Sequence, residues 1–515
     1  MTIPSFATYQ PPAVYVQDVS SPIIAPSVLP SQVLTLVGPA LGYRTAVQSL
    51  LISSVTPVPL TYDGVYVTGQ SGPPAIAAPV VTTLGGIVLT AGVDYTLTVT
   101  NDPSGNPALA VTTISRVSNS PNVSDGQQVT ITYNYTDGGY YQPQLFSDYP
   151  SVVNSYGQAF VSSVPSAPNA SQVANPLTAA ALVAFGNGAT SLVCVALNPG
   201  DGTLEDQFKA AYAKVASNPA CSIVVPVFTD DLSPSSGTVA ALAATLANDL
   251  NSAMWAAYND GFPRRGFFGL PRNYSEADES PQVFASNLAS RRVTLVYPEV
   301  LYLFNTATSQ TFQCSGCYLA VALGAILSSL PVSTGLTNQV IRGFAGLTQT
   351  EMSAMTNAFM NSLAAAGVTV CYMDRSLTYA GTLTCRQGLT TDMSAINFRE
   401  ISMVRQSDSL LLAIRQGLSG SGLIGQPITA NTVTLVSEAV IGILEAAVAN
   451  QVIQGYINLV VQQQTYPRGS PTVIAVSFQY QPAEPLNYIP VTMAVDLSSG
   501  LVAVQSQQNA SATGA

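Results

Sequence analysis

Cys314 and Cys317 stand in the run C-S-G-C, the spacing at which two thiols form a redox pair or supply half of a tetrahedral zinc site. Neither use is completed, because the chain has no histidine and no second C-x-x-C. Cys194, Cys221, Cys371 and Cys385 fall mostly inside apolar or strand-like segments, so all six cysteines read as reduced core residues. Asp230 and Asp231 follow V-V-P-V-F-T at the end of a strand-like run. Two carboxylates there could hold a cation, but with no further ligand nearby they read as exposed loop charges. Gly420, Gly422 and Gly425 repeat the G-x-G-x-x-G spacing of a dinucleotide loop. They follow a helical pattern rather than a strand, which makes them a helix-ending loop. Lys209 and Lys214, the only lysines, are followed by Ala and Val, which excludes the phosphate-binding G-x-x-x-x-G-K-[ST]. The absence of histidine also removes Ser-His-Asp and Cys-His nucleophile pairs. The expectation is a protein that is not an enzyme and takes no cofactor or metal.

The elements that would position such residues belong to an unusual composition. Of 515 residues, 47% are hydrophobic and only 8% charged, against roughly 25% charged in an ordinary soluble domain. That length exceeds a single core and implies several domains. With a net charge of −11 and scattered arginines, the basic footprint needed for nucleic acid is missing. The apolar run at 318–332 is shorter than a membrane-spanning helix and is interrupted by two serines and a proline. Residues 1–30 carry no basic residue, so no signal-peptide start is expected.

Along the chain, V-Y-V-Q-D-V near the start reads as a strand with no nearby partner. Residues 31–54 read as a short buried strand, a Gly-Pro turn and a helix. From 57 to 140, Thr, Val, Tyr and Gly alternate at period two, the pattern of a small inserted antiparallel β domain. From 141 to 335, helix-like and strand-like segments alternate, which predicts an α/β domain with a sheet covered on both faces. Asn175 caps a helix with Pro176 at its first position. Two helices are expected in the last third. One carries Ile401, Val404, Leu411 and Leu412 on one face; the other runs through S-E-A-V-I-G-I-L-E-A-A-V-A-N-Q-V-I-Q-G-Y-I-N-L-V-V-Q-Q with Val440, Ile443, Leu444, Ala447 and Val448. A final strand alternates through Ile489, Val491, Met493, Val495 and Leu497. Together these give a multidomain α+β and α/β chain with isolated strands at both ends.

An ordered series of blocks is similar to the contractile tail sheath proteins of bacteriophages and related injection systems. P-P-A-V-Y-V-Q-D-V-S-S-P-I resembles that family's opening P-G-V-Y-x-x-E. It is followed by Y-Y-Q-P-Q-L-F-S-D-Y-P-S-V-V-N-S-Y-G, N-P-L-T-A-A-A-L-V-A-F-G-N-G-A-T-S-L-V-C-V-A-L, R-R-V-T-L-V-Y-P, G-L-T-T-D-M-S-A-I-N-F-R-E-I-S-M-V and V-S-F-Q-Y-Q-P-A-E-P-L-N-Y-I-P-V-T-M-A-V-D-L. The sequence departs from the family's charged, Trp-containing pattern at L-S-S-L-P-V-S-T-G-L-T-N-Q-V-I-R-G-F-A-G-L. The resemblance implies hexameric rings stacked as a helical polymer around a tail tube protein. Baseplate and tail terminator proteins would be further partners, with no nucleic acid and no membrane insertion. It places the protein in the virion tail after assembly in the host cytoplasm.

It also implies a core domain of mixed sheet and helices built from both chain ends, at 21–56 and 336–488. Donated arms would span 1–20 and 489–515, with Val14, Tyr15, Val16 and Asp18 on one and Ile489, Val491, Met493 and Val495 on the other. The receiving sheet would include 473–480. Arg405 and Arg415, on a core-domain helix, are the expected tube contacts. The sheath of a phage-derived injection system is the neighbouring reading, and a secreted surface protein or adhesin is the rival from a different class.

Overall fold

The computed structural model describes residues 32–40, 43–68, 77–100, 110–136, 139–164, 171–199, 201–347, 349–373, 382–464, 472–485, 492–496 and 501–505. Its largest unit is a nine-stranded sheet. In chain order the strands are β1 (Val33–Pro39), β2 (Gln144–Phe146), β3 (Leu192–Leu197), β4 (Cys221–Pro226), β5 (Arg265–Gly269), β6 (Val293–Tyr297), β7 (Val340–Ile341), β8 (Val368–Met373) and β9 (Leu383–Cys385). Across the sheet they lie β7-β9-β8-β6-β5-β4-β1-β3-β2. The interior from β8 to β3 is parallel, and the antiparallel pairs lie at the two ends. β3, β5 and β6 are buried at every residue, as continuous apolar runs must be when both sheet faces are covered. The sheet continues past residue 335 through β7, β8 and β9, so the expected middle and C-terminal portions share it.

Helices cover the two faces. α1 (Pro176–Gly186) starts as expected, with Asn175 accepting from the Thr178 N–H and Pro176 at the first position. It packs with α4 (Cys317–Ser329), whose Gly324 sits over Leu34, Ile223 and Val225. α2 (Leu204–Ser217) and α3 (Val239–Asn259) cover the other face, where Leu250 meets Gly266 of β5. α2 opens with a Thr203/Asp206 capping box, which satisfies two of the N–H groups that a helix start leaves free.

Two expectations are corrected. Tyr43–Leu51 is a strand rather than a helix, paired antiparallel along its length with Gln128–Thr136. Ala46 and Leu50 are buried while Val47 and Leu51 are exposed. A four-residue spacing of apolar positions fits a helix face and a strand face equally, and the long β partner decides between them. The inserted β unit therefore begins near 43, and its core holds Ile52, Val81, Ile114, Val129, Ile131 and Tyr133.

The second correction concerns the last third. α5 (Ile401–Gly420) forms as expected, but α6 (Ala430–Ala449) stops at the Asn450 cap. Gln451 then adopts φ 56°, and β10 (Ile453–Gln463) follows as a strand paired with β11 (Ile474–Pro482). The left-handed Gln451 ends the helical path, and the β-branched residues beyond it suit a half-buried strand. α5, α6, β10 and β11 enclose a separate core around Val440, Leu444, Ala447 and Ile453.

Candidate functional site: the α5 helix and the chain ends

α5 carries more polar groups into the interior than any apolar pattern would predict. Asp408 accepts from Arg292 Nη1 at 2.6 and 2.7 Å and from Arg265 Nη2 at 3.0 Å. Both arginines belong to the sheet, at the start of β5 and just before β6, and both are almost wholly buried. Arg292 also lies 4.1 Å from the Tyr258 ring centroid on α3, within cation–π range. Burial pulls the Arg265 pKa down to about 10, with the Asp408 charge opposing it. One carboxylate thus bolts α5 to the sheet through two guanidiniums.

Arg405 is 2% exposed. Its guanidinium donates to the carbonyls of Leu327, Leu330, Pro331 and Thr334 and to Gln32 Oε1, at 2.8–3.3 Å. Those carbonyls close the C-terminal end of α4, where a cation satisfies groups the helix leaves free. Burial and the neighbouring Arg265 lower the Arg405 pKa to about 9, so it stays charged at neutral pH. Arg405, expected at the tube, is thus buried in the subunit with these bonds spent within the chain. Arg415 is different: half-buried, it donates to the Asp260 carbonyl at 2.7 Å and lies 4.9 Å from the Phe262 ring centroid.

Val14, Tyr15, Val16, Asp18, Ile489 and Val491 lie outside the described residues. Met493 and Val495 fall on β12 (Thr492–Asp496), which pairs antiparallel with β13 (Leu501–Gln505) in the register Met493 to Val504 and Val495 to Val502. Among the described residues, the β10–β11 and β12–β13 pairs are each two-stranded. The β10–β11 pair packs the half-buried Leu459, Val461, Ile474, Val476 and Phe478 against the α5–α6 core and leaves Ile457 and Val460 exposed.

The residues that suggested chemistry take structural places. Cys314 and Cys317 are buried free thiols, and burial pushes Cys317 up to about 12, far from the thiolate that redox or metal work requires. Gly422 and Gly425 form the loop after α5, with φ 69° and 92°. Asp231 is exposed and paired with Arg272 at 2.5 Å. Asp230, expected on the surface, is fully buried instead. It accepts from Ser171 Oγ at 2.6 Å and the Ser315 N–H at 3.2 Å, and burial raises its pKa to about 6. Among the described residues, no three His, Cys, Asp or Glu side chains are grouped to hold a metal. By length and composition one helix there, α6, suffices to cross a membrane, with mean hydropathy 1.7. The sequence reads this stretch as a core-packing helix, and Val440, Leu444 and Ala447 are buried in the α5–α6 core.

No family model matches the chain. Over 421 residues it is 27% identical to the tail sheath protein of Mycobacterium phage Bxz1, spanning 81% of this chain and 67% of that protein. In fold it is similar to the helical sheath of the anti-feeding prophage (AFP) in its contracted state. The TM-score is 0.50 at 12% identity, with 95% of this chain and 100% of that one covered. By sequence and by fold, the chain is similar to contractile tail sheath proteins. A sheath tail protein from Desulfitobacterium hafniense superposes at a TM-score of 0.44 and 12% identity, covering 92% of this chain and 97% of that one. The mixed, multidomain sheet-and-helix fold is similar to that of sheath proteins. Sequence reasoning missed Asp408, Arg265, Arg292 and Gln406. The available signal was the placing of R-R pairs immediately before strand-like runs in a chain with so few charges.

Proposed function

We propose that the chain is the subunit of a contractile phage tail sheath, stacking as six-membered rings around a tail tube and shortening to drive that tube through the host envelope. The observation that carries this is the 421-residue sequence match to a phage tail sheath protein. The role is structural rather than catalytic, and baseplate and tail terminator proteins cap the polymer.

The terminal segments, 1–20 and 489–515, would each add strands to a neighbour. A strand pair such as β10–β11, two-stranded among the described residues, offers edge backbone N–H and C=O groups that an incoming strand would complete. An interface between unlike surfaces that does not close on itself generates a helical array. Contraction then needs no nucleotide, because packed interfaces are bistable and a metastable arrangement can relax to a better-buried one. Of the two arginines expected at the tube, Arg415 remains the candidate. The fold serves phage sheaths and injection-system sheaths alike, and the sequence match favours the phage.

Deleting residues 1–20 tests the arm. The truncated subunit should keep its far-ultraviolet circular dichroism and unfolding midpoint yet give no tubes by electron microscopy. Tubes of normal length from that truncation would rule out the exchange of this strand.

A further inference from the structure

Arg405 and Gln406 are successive residues of α5, and each reaches the point where one end of the chain meets the core. Arg405 Nη2 donates to Gln32 Oε1 at 2.8 Å, and Gln32 immediately precedes β1, an interior strand of the large sheet. Gln406 grips the other end. Its Nε2 donates to the Ala483 carbonyl at 2.8 Å, and its Oε1 accepts from the Ala483 N–H at 3.2 Å. A side-chain amide here holds one backbone unit by both its groups, as a neighbouring strand would. Ala483 directly follows β11. Beyond it Pro485 passes over Gly335, which also faces Ser402 of α5.

Successive helical residues point about 100° apart, so one turn of α5 addresses two separate chain segments. The same helix is fixed to the sheet one turn later by Asp408, between Arg265 and Arg292. Arg405 and Gln406 are both buried to 2% exposure or less, where a hydrogen bond is costly to leave unmade. Charge on the guanidinium strengthens the Arg405 bonds further.

We propose that Arg405 and Gln406 form a hub that fixes where both terminal segments leave the core, so that each segment is aimed at its neighbour from a rigid root. This rests on the sheath reading above, in which those segments engage other subunits. The physical basis is effective concentration. A tether released at its root samples a larger volume, and the chance of meeting the correct edge falls with that volume. Fixed roots also carry load: force on either segment passes through α5 into the sheet rather than peeling β11 or β1 away.

The test uses the full-length chain with Gln406→Ala and Gln32→Ala, and Gln416→Ala on the exposed side of the same helix as control. Gln32 lies outside the helix and half-exposed, so its substitution leaves α5 intact. In dilute subunits, amide exchange at Ala483 and Glu484 should quicken about tenfold in Gln406→Ala and not in the control. Unchanged exchange there overturns the clamp whether or not tubes form. In assembly, the critical concentration for tubes should rise about tenfold in Gln406→Ala and in Gln32→Ala. Wild-type assembly concentrations in both variants would overturn the role in assembly. Absence of tubes from the unaltered chain would instead contradict the sheath reading, and exchange would still decide the clamp.

Discussion

Asp408 shows how few charges this chain uses and how much rests on each. Its carboxylate faces two buried guanidiniums, and removing it strands both cations in the interior. Asp408→Ala should cost about 3–5 kcal/mol, read as a lowered urea midpoint with an unchanged slope. Asp230 runs the other way. Its folded pKa of about 6 lies above the ordinary 3.8, so the folded state favours the protonated acid. The stability this gives is fully present below pH 4 and is lost as pH rises through 6. The difference amounts to on the order of 3 kcal/mol at pH 7.5. Asp230→Asn keeps an oxygen for the Ser315 N–H and removes the buried charge. It should therefore be the more stable protein at pH 7.5 and match the wild type near pH 4 in paired urea titrations. A variant that is less stable at pH 7.5 would show that the charge on Asp230 is needed. Neither carboxylate's role was legible in the sequence, because burial of a charge depends on which distant residues surround it.

Among elements, the junction of β5 with α4 is the tightest. A methyl group at Gly269 would overlap the Gly316 carbonyl and the Cys317 N–H, which are backbone atoms unable to swing aside. Gly316 in turn donates to the carbonyls of Leu270 and Glu299, at 3.0 and 2.7 Å. Gly269→Ala should therefore cost about 1–3 kcal/mol or more through overpacking, measured as a drop in the thermal midpoint. Most buried elements could be read from the sequence. The runs at 192–197, 221–226 and 293–297 are continuous apolar strands, and the Asn175-Pro176 start of α1 was explicit. Tyr43–Leu51 was misread because Ala46 and Leu50 satisfy two periodicities at once. The end of α6 was overrun because V-I-Q-G-Y-I-N-L-V-V keeps an apolar spacing while its backbone turns at Gln451. Local pattern records which face is apolar; partners far along the chain decide the conformation that buries it.

At the scale of the molecule, the nine-stranded sheet is covered by helices on both faces, whereas among the described residues the β10–β11 and β12–β13 pairs have two strands each. A two-stranded unit is only marginally stable alone; β10–β11 leans on the α5–α6 core, and a further strand from another copy would extend it. The sheath resemblance was legible because its blocks occur in order along the chain, although each is short. The geometry of assembly was not, because it depends on contacts between copies. Helical reconstruction of the polymer formed by the purified full-length chain tests the central claim most directly. The account predicts hollow tubes with residues 13–20 of one subunit hydrogen-bonded along an open strand edge of another. Tubes in which both chain ends pair only within their own subunit, or a protein that stays monomeric at every concentration, would contradict it.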